Sequence, residues 1–168
     1  ELQKPEHLGR LKTTTTLGDL DGDGDTDVIY AYGARSFSIW DQQGALMFDS
    51  ANGFEKIIAS RNPEVFNANG TEFDDRSDDK GPEPEALAVG QIGDRTYAFI
   101  GMERNNAIFA YDITNPADPH MTDYFMPGSE HNSPEGLEFI PADQSPNGKN
   151  LLVVAYEMTG TVQVLEVK

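Results

Sequence analysis

Short apolar runs, each ended by Gly, Pro, Asn or Asp, recur along the 168-residue chain. This spacing is typical of strands and turns, and helical periodicity is scarce. A short helix is predicted only at 54–59, and residues 60–85 are predicted to be irregular. The predicted strands are 10–17, 28–32, 36–41, 45–49, 86–91, 96–102, 107–113, 121–125, 137–140, 151–156 and 161–167.

An internal repeat organises these strands into units. Residues 84–89 (PEALAV) align with 134–139 (PEGLEF), and 97–113 align with 151–167 after a small shift in a hairpin loop. A weaker third copy spans 28–41. Units of about 40–50 residues with up to four short strands are typical of propeller blades. The sequence therefore predicts an all-β protein with about three four-stranded antiparallel β-propeller blades, part of a larger or assembled propeller.

The repeat also predicts how the chain is divided. We expect a single partial propeller with a first blade at 12–50, an irregular insertion at 51–83, a second blade at 84–126 and a third blade at 134–168. Three blades do not close a ring of the usual four to eight. The predicted partner is therefore the missing N-terminal blades or another copy of the chain.

Composition narrows the classes of partner. The formal net charge of −17 argues against nucleic acid and against an anionic membrane surface, and it favours cations. The chain has no cysteine, so no disulfide holds the fold. No apolar run of 18 residues occurs, so no membrane span is predicted.

Aspartates at every second position of residues 19–27 form the clearest motif. If residue 19 is position 1 of a calcium loop, Gly24 takes position 6, where the turn is sharp, and the carbonyl of Asp25 takes position 7. Position 12 is Tyr30 rather than a glutamate, so the motif is not an EF-hand but resembles the calcium loops of integrin-type propeller repeats. A solvated acidic turn is the alternative, which the mutual repulsion of the carboxylates disfavours. The predicted Ca²⁺ ligands are Asp19, Asp21, Asp23, Asp25 and Asp27.

Glutamates recur at matching positions of the repeat. Glu85 and Glu135 follow a proline at the start of a first strand, and Glu103 and Glu157 follow a second strand. First strands line the channel of a propeller, so these carboxylates could hold a second divalent metal there. The alternative is that they accept hydrogen bonds from backbone amides of the next blade. The sequence leaves both open.

A second acidic segment spans 74–85 and includes two cations. It is either a solvated loop at Asp74, Asp75, Asp78 and Asp79 or part of a site. Arg76 and Arg35 could meet an anionic ligand or form structural ion pairs. His131 lies near a repeated glutamate and is a candidate ligand or acid/base. The candidate catalytic residues are Glu85, Glu135, Arg76 and His131, and no established catalytic fingerprint accompanies them.

Three stretches carry a family resemblance: 17–41 (LGDLDGDGDTDVIYAYGARSFSIWD), 73–104 (FDDRSDDKGPEPEALAVGQIGDRTYAFIGMER) and 133–167 (SPEGLEFIPADQSPNGKNLLVVAYEMTGTVQVLEV). Together they resemble the C-terminal portion of the choice-of-anchor I family, whose members are secreted or surface-attached propeller proteins described as alkaline phosphatase-like. The resemblance implies a calcium-dependent propeller outside the cytoplasm, secreted, periplasmic or at the cell surface, with its N-terminal blades absent from this chain.

Two functions follow as hypotheses. The first is a metal-dependent phosphoesterase in which the glutamates hold cations that bind a phosphate-ester substrate and activate water, while an arginine stabilises charge. The activity would belong to the full-length protein, because this segment alone lacks part of the channel wall. The alternative is a non-enzymatic cell-surface binding or adhesion module stabilised by calcium.

Overall fold

The computed structural model describes residues 1–33 and 35–168; Ala34, within the first predicted blade, lies outside them. The described residues form an all-β protein with one α-helix, α1 (Gly53–Arg61), and a 3-10 helix at Pro63–Val65. The strands are β1 (Thr13–Thr14), β2 (Tyr30–Ala31), β3 (Ser38–Trp40), β4 (Leu46–Asp49), β5 (Pro84–Ile92), β6 (Arg95–Met102), β7 (Ala107–Asp112), β8 (His120–Phe125), β9 (Pro134–Ile140), β10 (Asn150–Tyr156) and β11 (Thr161–Val167).

The best-formed sheet has four antiparallel strands in the order β5-β6-β7-β8. Buried and exposed residues alternate along β5, whereas β6 and β7 are buried on both faces. That difference places β5 at one edge and the two apolar strands in the middle of the sheet. This up-and-down meander has the strand arrangement of a propeller blade.

The second sheet has three antiparallel strands in the order β11-β10-β9. Its register repeats that of the first sheet: Tyr97 pairs with Asp112, and Leu151 pairs with Glu166. Both first strands, β5 and β9, also have a register shift next to their opening Pro-Glu. The internal repeat predicted between 84–113 and 134–167 is confirmed.

The first unit is less regular than its sequence predicts. Its strands form two separate pairs, β1-β2 and β3-β4. The strand predicted at 10–17 is reduced to Thr13–Thr14, and the one at 28–32 to Tyr30–Ala31. The apolar side chains here, such as Ile29 and Trp40, are exposed at 71% and 58% and gain little from packing. Of the three predicted blades, only the second forms a single four-stranded sheet in the described residues.

Two apolar cores lie on the second blade, one against α1 and the other against the third blade. The helix–blade core packs α1 on the second blade, and the predicted helix at 54–59 is confirmed and extends to Arg61. The interblade core joins the second and third blades. There the rings of Phe99 and Phe139 stack, with their centroids 5.8 Å apart. A side chain at Gly90 would collide with the Phe139 ring, so glycine permits the close approach of β5 and β9. The helix–blade core comprises Phe54, Ile58, Ala98, Ile100, Met102, Ala107, Phe109 and Tyr111. The interblade core comprises Ala88, Phe99, Ile108, Leu152, Val154 and Tyr156.

Candidate functional site

The aspartate loop (residues 19–27) connects β1 to β2 on the surface. The carbonyl oxygen of Gly18 closes it by accepting hydrogen bonds from the amides of Asp27 (2.9 Å) and Val28 (3.1 Å). Gly22 and Gly24 have φ angles of 82° and 96°, in the region that favours glycine. The glycines therefore allow the tight winding that the alternating aspartates need.

Three carboxylates of this loop converge. One oxygen from each of Asp19, Asp21 and Asp27 lies within 4.8 Å of the others. Backbone amides hold all three: Asp19 accepts from Gly22 (2.6 Å) and Gly24 (3.0 Å), Asp21 accepts from Asp23 (3.2 Å), and Asp27 accepts from Leu20 (2.9 Å). Convergence of exposed like charges costs free energy unless a cation lies among them.

The other two predicted ligands are placed differently. The side chains of Asp23 and Asp25 are not members of the converging group, and the Asp23 carboxylate accepts from the amide of Asp25 at 3.0 Å. The donor set is all oxygen, which is what Ca²⁺ prefers, and further oxygens from carbonyls or water would complete it. The residues present therefore fit calcium.

Within the described residues, no lysine or arginine forms an ion pair with the aspartate loop. The sequence has no lysine or arginine from residue 13 to residue 34. Lys12, just before this stretch, pairs with Asp79 at 3.2 Å, and Arg35, just after it, pairs with Glu55 at 2.7 Å.

A second group of carboxylates, the glutamate cluster, consists of Glu83, Glu85 and Glu103, each with an oxygen within 4.8 Å of the others. The Glu83 side chain is 1% exposed. It accepts hydrogen bonds from Arg76 (Nε, 3.0 Å), Arg104 (Nε, 3.1 Å) and Lys80 (Nζ, 3.3 Å). Three protein cations therefore already bind Glu83.

Glu103, also buried, connects two blades. Ser133, at the start of the third blade, donates a hydrogen bond to it at 3.3 Å, and Arg104 lies 3.0 Å away. Burial and the hydrogen bond with Glu83 raise the pKa of Glu103. Burial alone would raise the pKa of Glu83 as well, but hydrogen bonds from Arg76 and Glu103 lower it. The pKa values of the two neighbouring carboxyl groups are therefore shifted in opposite directions, that of Glu83 downward and that of Glu103 upward.

Glu83 is the site residue that sequence reasoning missed. Its structural equivalent in the third blade is Ser133: both precede a Pro-Glu, both have positive φ (52° and 69°), and both carbonyls accept at 2.9 Å from the equivalent glutamate amides. These amides belong to Glu103 and Glu157. The signal available in the sequence was the EPE of 83–85, in which a third glutamate precedes the repeated pair.

The remaining predicted site residues are dispersed or already engaged. Glu85 is exposed and lies 3.6 Å from Lys80. Glu135 and Glu157 are exposed and lie outside the glutamate cluster. His131 stacks on Tyr156 at 4.9 Å, and its Nδ1 hydrogen bonds to Thr161 at 2.9 Å.

The acidic segment at 74–79 is half-buried rather than freely solvated. Arg76 is bound to Glu83 and Asp79, the latter at 3.4 Å, and Arg10 pairs with Asp74 at 3.3 Å. Both arginines proposed as anion ligands, Arg76 and Arg35, therefore form structural ion pairs.

Comparison with known proteins shows which family of proteins the chain resembles. A profile of the choice-of-anchor I domain matches residues 1–116. Gigasin-3a of Magallana gigas is 31% identical over 191 aligned positions, which cover 99% of this chain and 67% of that protein. The mesenchyme-specific cell surface glycoprotein of Strongylocentrotus purpuratus is 29% identical over 103 positions, which cover 51% of this chain and 13% of that protein. No solved structure matches the chain. The chain therefore belongs to the choice-of-anchor I family.

Proposed function

We propose that this chain is a calcium-binding segment of an extracellular β-propeller whose role is to bind or anchor rather than to catalyse. The observation that carries the proposal is the convergence of Asp19, Asp21 and Asp27 in a loop without protein cations. Calcium there would tie β1 to β2, strands of two residues each that the described contacts hold weakly. The metal would therefore order the least regular unit of the fold.

A location outside the cytoplasm is part of the proposal. One relative is named as a cell surface glycoprotein. Calcium is abundant outside cells, where sites of modest affinity are filled. Within the described residues, no helix combines the length and apolar character needed to cross a membrane.

The phosphoesterase is the second candidate, favoured by the proximity of the three carboxylates in the glutamate cluster. Metal-assisted hydrolysis needs a cation with an open coordination position. In the described residues Arg76, Arg104 and Lys80 already neutralise Glu83, so a catalytic metal would have to displace them. Enzymatic activity of the longer protein thus has weaker support than a binding role.

Two measurements test the proposal. Elemental analysis of the purified chain after equilibration with Ca²⁺ should give one calcium per chain. Hydrolysis of p-nitrophenyl phosphate with Ca²⁺, Mg²⁺ or Zn²⁺, measured on the full-length protein, should not exceed that of the metal salt alone. A matched variant, Asp21→Asn, should lose the calcium. Turnover that disappears with Glu83→Gln but survives Asp21→Asn would instead establish the phosphoesterase.

A further inference from the structure

The first strand of the second blade, β5, has an uncovered apolar face. Side chains alternate along this strand, and Leu87 and Val89 share the exposed side, which is called the β5 face below. They are 60% and 55% exposed. Leu87 pairs with Ile100, and Ile100 belongs to the helix–blade core against which Phe37 of the first unit packs. The β5 face therefore looks toward the first unit.

The third blade shows what covers such a face. The residues of β9 that are equivalent to Leu87 and Val89 are Leu137 and Phe139. Both pack against the interblade core, where Phe139 stacks on Phe99 of the second blade. The first strand of the third blade is thus covered by the blade before it in the chain. For β5, the unit before it in the chain is the first unit.

One part of the interface between the first unit and the second blade is already packed. When the aromatic–Asp pairs of the two units are aligned (40–41 with 111–112), Phe37 is equivalent to Ile108 of the interblade core. The centroid of the Phe37 ring lies 4.8 Å from that of Tyr111 and 5.9 Å from that of Phe54 in α1. The first unit therefore already contacts the correct side of the second blade.

The part of this interface next to β5 is open. The same alignment makes Val28 the equivalent of Phe99. Val28 is 40% exposed, and within the described residues neither it nor the β5 face belongs to either apolar core. Val28 directly follows Asp27 of the aspartate loop, and the amides of both residues donate to the carbonyl of Gly18. A cation that fixes the aspartate loop would therefore also fix the position of Val28.

We propose that calcium binding to the aspartate loop docks Val28 against Leu87 and Val89, so that the first unit closes onto the β5 face. This inference rests on the calcium site of the proposed function and adds a conformational change to it. Removal of these three side chains from water favours the closed arrangement. Because calcium and closure are coupled, each strengthens the other by the same factor.

Cysteine cross-linking tests the proposal on the intact chain, which has no cysteine of its own. The test pair is Val28→Cys with Val89→Cys, and the control pair is Ile29→Cys with Val89→Cys. Ile29 is the matched control because its equivalent, Ile100, lies in the other apolar core from Phe99. Under mild oxidation in Ca²⁺, the test pair should form an intramolecular disulfide about tenfold faster than it does in EDTA and about tenfold faster than the control pair.

Isothermal titration of the reduced variants with Ca²⁺ separates this inference from the proposed function. Calcium binding combined with equal cross-linking rates in the two pairs, or in Ca²⁺ and EDTA, would overturn the inference and leave the proposed function intact. Absence of calcium binding in the unmodified chain would overturn both. A disulfide-linked dimer in place of the cross-linked monomer would show that a second copy covers the β5 face, and it would also overturn the inference.

A lysine on the β5 face tests the coupling without cysteines. Leu87→Lys opposes docking, and the matched control is Leu46→Lys, at a 52% exposed position of β4. Leu87→Lys should weaken calcium binding about tenfold, whereas Leu46→Lys should leave it within about twofold. Equal calcium affinities in the two variants would overturn the inference. This comparison decides alone if a cysteine variant does not fold.

Discussion

The aspartate loop and the glutamate cluster are both acidic, but they differ in solvent exposure and in the protein cations around them. The aspartates are exposed and have no lysine or arginine in the surrounding stretch 13–34. The glutamates at 83 and 103 are buried and meet Arg76, Arg104 and Lys80. Charge density in the sequence therefore does not distinguish a metal site from an internal ion-pair network. The two regions differ in the position of the protein's own cations, which pair with the buried glutamates.

Removing the centre of the glutamate cluster should have the largest effect. Glu83→Ala leaves three cations without their buried partner, and breaking a buried ion pair costs about 3–5 kcal/mol. Urea unfolding should show this loss in the free energy of unfolding. The matched control is Lys149→Met, which breaks the exposed 3.4 Å pair with Glu166 and should cost less than about 1 kcal/mol. Similar losses in both variants would contradict the buried-network account.

Calcium removal should have the next largest effect. A ligand that binds only the folded state stabilises it by about 2.7 kcal/mol at one hundred times its dissociation constant. Excess EDTA should therefore lower the melting temperature by several degrees, and Asp19→Asn should abolish that difference. Asp25→Asn should retain most of it, because the Asp25 side chain is outside the converging group and its carbonyl is unchanged. A melting temperature that ignores EDTA would refute a calcium role in stability.

The pH dependence of stability should reflect the raised pKa of Glu103. The pKa of Glu103 is raised from 4.5 to about 7, so the folded state binds more protons than the unfolded state in this window. The free energy of unfolding should then fall as pH rises from about 4.5 to about 7. Glu103→Gln stays neutral and should reduce that fall by about 1–3 kcal/mol. Urea unfolding at pH 5 and pH 7.5 in saturating calcium measures this fall in the free energy of unfolding. Identical pH slopes in variant and wild type would disprove the raised pKa of Glu103.

The exposed glutamate of the third blade should matter least. Glu135→Gln should change the free energy of unfolding by less than about 0.5 kcal/mol and leave metal content untouched, because Glu135 is exposed and outside the glutamate cluster. Differential scanning calorimetry measures the change in stability, and elemental analysis measures the metal content. Loss of a bound metal in this variant would revive the channel site predicted from the repeated glutamates.

The sequence predicted the blades better than it predicted the site. Apolar alternation and the repeat predicted β5–β7 and β9–β11, because each of these strands is at least half-buried on one face and tertiary packing agrees with local pattern. The strands at 10–17 and 28–32 failed to extend because their residues remain exposed in the structure. The convergence of Asp19, Asp21 and Asp27 agrees with their alternation in sequence.

The glutamate cluster could not be derived in the same way. Its members come from a loop end, a first strand and a strand end, and their neutralisation depends on Arg76, from the insertion, and Arg104, from a hairpin turn. Repetition drew attention to Glu85 and Glu135, whereas burial makes Glu83 the central residue. Glu83 departs from the repeat, since the third blade has Ser133 in its place. A repeat therefore predicts the residues that blades have in common, and Glu83 is not one of them.

Isothermal titration of the metal-free chain with Ca²⁺ tests the central claim most directly. Wild type and Glu83→Gln should each bind one calcium per chain, and the Asp19→Asn, Asp21→Asn, Asp27→Asn triple variant should bind none. The folded state of each variant is verified by circular dichroism. Binding that survives in the triple variant, or is lost in Glu83→Gln while that variant remains folded, would contradict the account.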